Sequence, residues 1–266
     1  MWLWRIVRRM THTYVIGNGE TRLSFDLNLL KEKGIIYGCN AIYRDHPDLC
    51  DYIMAVNDDM YAEILDAKRS YKNVKATLLN KEDLPDWNYL CKGDNHDHDK
   101  HRKPLMRFWT GGDARTGKTR TIDFTETRGS GCSAVLHAVE NGAKSVAILG
   151  FDFLGARQWE ASVGEMMRPQ NNVYKNTPNY PSRINMKAYL KYEWLFHLRQ
   201  TARKYNDVKF YYFNRKEYIK TNPLLFKFFD VTNIYCGTYA DLLRFTRGEE
   251  KDITWRTFHG GQYKWH

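Results

Sequence analysis

The sequence predicts an α/β protein built on an open, mostly parallel, Rossmann-like sheet, and three observations lead there. Short apolar runs recur, each stopping at Gly or Asn: Tyr14-Val-Ile-Gly-Asn18-Gly19, Ile35-Ile-Tyr-Gly-Cys-Asn40, Tyr52-Ile-Met-Ala-Val-Asn57 and Val146-Ala-Ile-Leu-Gly150-Phe-Asp152-Phe153. Continuous apolar runs bounded by turn residues are the pattern of strands buried on both faces of a parallel sheet. Segments with helical spacing lie between them. In such sheets ligands bind beyond the carboxyl ends of the strands, so polar residues recurring there mark one shared pocket.

In chain order, residues 13–17 read as a buried strand, followed by Glu20-Thr-Arg22 and the periodic Leu23, Leu27 and Leu30, a short helix that Ser24 could cap. Ile35–Gly38 and Tyr52–Val56 are the next strands. Asp58–Arg69 reads as helix, because Met60, Ile64 and Ala67 fall near helical spacing. Residues 80–120 interrupt the pattern with a polar stretch from Asp94 to Lys103, and Thr119–Thr127 is rich in β-branched residues and reads as extended. Ser130 or Ser133 caps a helix that runs through Glu140 and closes at Asn141-Gly142, and Val146–Leu149 is the next strand. Residues 154–183, rich in Asn, Pro, Gly and Arg, read as a mobile lid over the strand ends. Asn185–Tyr205 is a long amphipathic helix and Val208–Phe213 a strand ending at Asn214. The expected organisation is a nucleotide-binding α/β domain over residues 10–215, with a helical extension over 216–266 packed on it.

Bulk properties narrow the classes. With 42% apolar and 15% aromatic residues a packed interior is assured, and no apolar run approaches the length of a membrane span. The basic, apolar start Met1–Arg9 lacks the pattern of a secretory signal, and Met10 reads as an alternative start. Cysteines at 39, 50, 91, 132 and 236 are odd in number and show no Cys-x-x-Cys pairing, which suits a reducing cytoplasm, whether of a cell or of a virus's host. A net charge of +10 attracts polyanions, nucleic acid foremost. Aromatics interleave with cations in Lys187–Trp194 and Lys209–Lys216, as base stacking and phosphate contact require, although the same aromatics serve a core equally well.

Several motifs carry chemistry. Gly112-Asp-Ala-Arg-Thr-Gly117-Lys118-Thr119 satisfies the Walker A pattern, but that mechanism needs a strand before it and a helix after it. An extended stretch follows, which favours a basic Gly-rich hairpin. His96, His98 and His101, interleaved with Asp94, Asp97 and Asp99, have metal-capable side chains on what reads as a solvated loop. Asp58-Asp59 is either an acidic metal-diphosphate pair or a helix N-cap pair. His137 reads as packed in its helix. Asp152, just beyond a buried strand, is placed either to hold a ligand or to brace the Gly129-Ser130-Gly131 loop.

Taken in order, Gly17-Asn18-Gly19-Glu20-Thr21, Cys39-Asn40, Val56-Asn57, Gly129-Ser130-Gly131 and Leu149-Gly150-Phe151-Asp152-Phe153 resemble the motif series of the bacterial sialyltransferase family (glycosyltransferase family 42) and its relatives. The resemblance covers roughly residues 13–215. It implies a GT-A variant of the Rossmann-like fold with a lid, and metal-independent transfer from a pyrimidine nucleotide-sugar, UDP- or CMP-linked. Carried over, Asn18, Gly19, Asn40, Asn57, Ser130 and Gly131 bind the nucleotide. Asn supplies both donor and acceptor without adding charge near phosphate. The family's two phosphate-binding tyrosines stand here as Leu154 and Glu160, and the stretch matching its catalytic His reads Asn179-Tyr-Pro-Ser-Arg183, so the implied sugar is one other than sialic acid.

Phosphate then falls to Arg128, Arg157, Arg168 or Arg183, because guanidinium pairs well with phosphate oxygens, with Tyr174 in the lid. Asp58, Asp152 and Glu165 are the candidate bases for an acceptor hydroxyl. The charge suggests a nucleic-acid acceptor, such as a hydroxymethylated base in viral DNA, extruded against Trp159, Tyr174 and Tyr180. Alternative readings are a glycan- or lipid-directed transferase, a phosphotransferase using Gly112–Thr119, and a non-catalytic nucleic-acid-binding protein.

Overall fold

The computed structural model describes residues 12–55, 60, 62–64, 66–67, 77–78, 107–112, 119–123, 129–152, 168–169, 172–180, 183–184, 189–221, 229–257 and 264–265. Its strands are β1 (His12–Ile16), β2 (Gly34–Cys39), β3 (Tyr52–Met54), β4 (Thr77–Leu78), β5 (Arg107–Gly112), β6 (Thr119–Asp123), β7 (Ser145–Leu149), β8 (Arg168–Pro169), β9 (Arg183–Ile184), β10 (Lys209–Asn214), β11 (Ile234–Thr238), β12 (Arg256–Thr257) and β13 (Lys264–Trp265). The α-helices are α1 (Ser130–Glu140), α2 (Tyr189–Lys204), α3 (Lys216–Thr221) and α4 (Tyr239–Phe245), and residues 60, 62–64 and 66–67 are also helical.

Nine strands form the main sheet in the order β13-β12-β11-β10-β7-β1-β2-β3-β4. From β11 through β4 every neighbouring pair is parallel, and β12 and β13 close one side antiparallel. The α/β class and the open, mostly parallel sheet are therefore as the apolar runs predict. Strand order runs outward in one direction from β1 to β4 and in the other from β7 to β11. The order of strand addition thus reverses between β1 and β7, which are themselves parallel, and in doubly wound sheets the ligand crevice opens at that switch point.

Side chains alternate cleanly across the sheet because the strand period is two. Val15, Tyr37, Ile148, Phe210 and Tyr212 pack on one face with Val135, Leu195 and Leu198 of α1 and α2. Tyr14, Ile16, Leu149, Tyr211 and Phe213 pack on the other with Leu30, Ile42, Met60, Ile64 and Leu242. Burial of Met60, Ile64 and Ala67 bears out the helical spacing expected after the third strand. The aromatics of Lys209–Lys216 are thereby core residues: Phe210, Tyr211, Tyr212 and Phe213 are all buried in β10. That stretch offers no stacking surface to nucleic acid.

Three expectations are corrected. Residues 216–266 are not a helical extension, because β11, β12 and β13 continue the main sheet there. The short apolar stretch Leu27–Leu30 is a 3-10 turn capped by Asp26, whose side chain accepts from Asn28 N, and not by Ser24. Ser130 does not cap α1. Gly129 holds the N-cap position with no side chain to offer, and Ser130 is the first helical residue.

The reading of Gly112–Thr119 as a hairpin agrees with the strands on either side. Gly112 ends β5, Thr119 begins β6, and the two residues are paired in an antiparallel ladder. A strand follows Lys118-Thr119 where a P-loop needs a helix N-terminus.

Candidate functional site

The crevice floor is set by glycine. β1 and β7 end side by side, Ile16 opposite Leu149, and the chain leaves both through close backbone contact: Gly17 N donates to Leu149 O at 2.8 Å and Gly19 N to Gly150 O at 2.7 Å. A Cβ on Gly17 would stand 2.4 Å from Gly150 O, and Gly150 itself has φ +68°. Gly19 faces Asp152, whose carboxyl carbon would lie 2.4 Å from an added Cβ. Gly131 is pressed by the Phe151 ring at 2.6 Å in the same sense. The conformation and packing at these positions leave no space for a side chain, which accounts for Gly19 and Gly131 without any direct ligand contact.

Around this floor the predicted polar residues converge. Asn40, at the end of β2 with φ +51°, accepts through Oδ1 from Ser130 Oγ at 2.8 Å, which ties β2 to the first turn of α1. Asn18 donates through Nδ2 to Tyr180 Oη at 3.2 Å, and Asn40 also hydrogen-bonds that hydroxyl. Asn18, Asn40 and Gly131 are half-buried and Ser130 is buried. Burial pushes the Tyr180 phenol up to about 12 against the pull of both amides, so it stays protonated. The N-terminus of α1, whose N-cap Gly129 has no side chain to offer, lies beside Asn40. Its dipole favours an anionic group there.

Asp152 braces the floor. Its carboxylate accepts from Thr21 N at 2.8 Å, from Thr21 Oγ1 and from Asn214 Nδ2 at 3.2 Å. Burial raises its carboxyl above the ordinary value, opposed by the Thr21 and Asn214 bonds and by the charge of Arg215. Thr21 Oγ1 also meets Tyr239 Oη at 3.1 Å. With both oxygens engaged, Asp152 fills the bracing role, and the loop it braces is the one after β1, not Gly129–Gly131.

The segment 172–180 covers the strand ends, as expected, but it is fastened there. Val173 N donates to Asn18 O at 2.9 Å, and Tyr174 and Tyr180 are only 4% and 6% exposed. Arg44 donates to Thr177 Oγ1 at 2.6 Å, to Pro178 O at 3.0 Å and to Glu63. Asn179 reaches Glu63 Oε2 at 2.7 Å, and Tyr43 also donates to Glu63. Burial works against ionising Glu63, yet these donors, Arg44 first, hold its carboxyl below the usual range. Tyr174 and Tyr180 are therefore packing residues, not free faces for an extruded base. The Tyr174 hydroxyl accepts from Arg22, so the expected role of Tyr174 at a donor phosphate is corrected as well.

Arg168 and Arg183 lie on the short antiparallel pair β8 and β9, opposite Ile184 and Pro169 respectively. Asn57, Asp58, Arg128, Leu154, Arg157, Trp159, Glu160, Glu165 and the cluster His96, His98 and His101 lie outside the described residues. Among the described residues no group of His, Cys, Asp and Glu is gathered to hold a metal, and no helix is long and apolar enough to cross a membrane. Cysteines 39, 50, 132 and 236 are buried, and no disulfide joins them. Burial pushes their thiols up wherever a shift is resolved, Cys50 to about 12.

Three site residues escaped the sequence reading. Arg22 is 2% exposed beneath the loop after β1. Asn214, fully buried at the end of β10, links Asp152 to Tyr212 Oη at 2.9 Å. Arg215 sits beside them, its Nε on Ser24 Oγ at 2.6 Å. The strand-end asparagine pattern that singled out Asn18 and Asn40 pointed equally to Asn214. Comparison with protein-family models, with curated proteins and with solved structures finds no match.

Proposed function

We propose that this chain is a nucleotide-sugar-dependent glycosyltransferase of the sialyltransferase-like, GT-A variant kind, moving a sugar from a pyrimidine nucleotide donor to an acceptor hydroxyl without a metal. The observation that carries the reading is the meeting of Asn18, Asn40, Ser130 and Tyr180 beside a helix N-terminus with glycine at its N-cap, at the switch point between β1 and β7. Neutral amides and hydroxyls suit a base edge and ribose hydroxyls, and the helix end suits a phosphate. This grouping of amides and hydroxyls supports a single donor site. Asp58 and Glu165 remain the candidate general bases, because Asp152 is engaged as a brace.

The acceptor is proposed as nucleic acid on the charge of +10, a support that the buried aromatics of β10 do not add to. Retention on DNA cellulose falling steeply with salt is the expected outcome, and retention insensitive to salt would turn the acceptor toward a glycan or lipid.

The donor site is tested by thermal shift with CMP, UMP and their nucleotide-sugars. At 100 times Kd a specific ligand adds about 2.7 kcal/mol to stability. Asn40→Gly is the informative variant, since glycine keeps the positive φ and removes only the amide. It is expected to fold normally and lose the shift. No response of the unaltered protein to any pyrimidine nucleotide would sink the reading.

A further inference from the structure

Arg22 is a cation placed where a cation is costly, almost wholly enclosed beneath the loop that follows β1. Its Nη1 donates to Gly17 O at 2.9 Å and to Asn18 Oδ1 at 3.0 Å, and its Nη2 donates to Tyr174 Oη at 2.6 Å. The guanidinium also lies 5.1 Å from the Tyr174 ring centre, and its nearest carboxylate among the described residues is Asp45 at 3.6 Å. Guanidinium has donors only, so the Asn18 atom that faces it must be the carbonyl oxygen. The NH2 group of Asn18 is thereby turned the other way, toward Tyr180.

We infer that Arg22 is a positioning residue of the nucleotide site: through its fork it holds the Asn18 amide in one orientation, carbonyl oxygen on the guanidinium and NH2 on the Tyr180 hydroxyl, and clamps Tyr174, so that the Asn18–Tyr180 edge of the site keeps a fixed hydrogen-bonding pattern. This rests on the reading of the crevice as a nucleotide site. A guanidinium satisfies the backbone carbonyl, the amide and the phenol from one plane, which a single ammonium on a shorter, flexible stem does not reproduce.

The test is a double-mutant cycle read by calorimetric titration with CMP and UMP, using Arg22→Met, Asn18→Ala and the pair, each first shown folded by circular dichroism. Arg22→Met is expected to weaken nucleotide binding roughly tenfold where Asn18 is present, the size of one charged hydrogen bond, and to change it little where Asn18 is already alanine. Arg22→Lys, which keeps the charge, is expected not to restore affinity; it also stands in for the methionine variant in the cycle should that variant not fold. In 15N-labelled protein without ligand, the Asn18 side-chain amide pair, assigned by its loss in Asn18→Ala, is expected to shift in the Arg22 variant.

Equal losses with and without Asn18, full recovery in Arg22→Lys, or an unmoved Asn18 amide each overturn the inference. If the unaltered protein binds neither nucleotide, the proposed function fails, and the ligand-free amide spectrum still decides the role of Arg22.

Discussion

Gly17 and Gly150 meet backbone to backbone, and contacts of that kind leave no flexible atom to give way. Gly17→Ala sets a Cβ 2.4 Å from the Gly150 carbonyl oxygen and 2.8 Å from the Phe151 ring. It is expected to cost about 3 kcal/mol, the upper end of ordinary overpacking. Gly142→Ala makes the control, because φ +91° strains any side chain there but nothing stands within 4 Å. About 1 kcal/mol follows from the backbone alone, so calorimetry should show a clearly larger fall in Tm for Gly17→Ala. Single residues were legible where they ended an apolar run. Asn40 was named by that strand-end pattern, and the folded chain holds it at positive φ, a conformation Asn tolerates, with its amide oxygen on Ser130 Oγ. Arg22 did not stand out, since its partners lie at Gly17, Asn18, Asp45 and Tyr174, and only the folded chain brings the last two to it.

At the scale of elements, buried parallel strands were readable because burial on both faces forces continuous apolar runs. The last three strands of the sheet were not, since Ile234–Thr238 alternates only partly and β12 and β13 are two residues each. α4 after β11 carries its own signature instead, a capping box in which Thr238 Oγ1 accepts from Asp241 N and Asp241 Oδ2 accepts from Thr238 N. Thr238→Ala is expected to lower stability by about 1 kcal/mol, measured by denaturant titration with an unchanged slope. The β5–β6 pairing gives a further expectation. With Gly112 and Thr119 paired across it, Lys118→Ala should leave pyrimidine-nucleotide binding within twofold of the unaltered protein, checked by the same titration.

At the scale of the whole molecule, a pH dependence of stability is expected from a cluster at the starts of β1 and β7. His12 Nδ1 meets Ser145 Oγ at 2.7 Å and Nε2 meets Glu250 at 2.8 Å, with the ring 4.2 Å from that of Phe245. Burial lowers the His12 imidazole below its ordinary value, and the charge and hydrogen bond of Glu250 only partly oppose this. The unfolded chain therefore binds a proton that the folded chain resists, so stability rises with pH and falls as pH drops below about 6.5. His46 is shifted the same way by burial and by Arg22. His12→Gln should flatten the dependence of Tm on pH between about 7 and 5 without abolishing it, read by scanning calorimetry.

The central position of β1 also dictates an order of assembly. Its neighbour β2 follows directly in the chain, with Thr13 beside Ile35, whereas its other neighbour β7 arrives only when Val146 does. During synthesis the β1-to-β4 half can pair within itself while one flank of β1 stays open. The crevice comes into being when β7 docks, so an N-terminal fragment ending before residue 145 lacks one wall of the site whatever its own stability. Ligand capture at the proposed site would in that sense require β7 to have docked, and shorter nascent chains could not draw on it to fold.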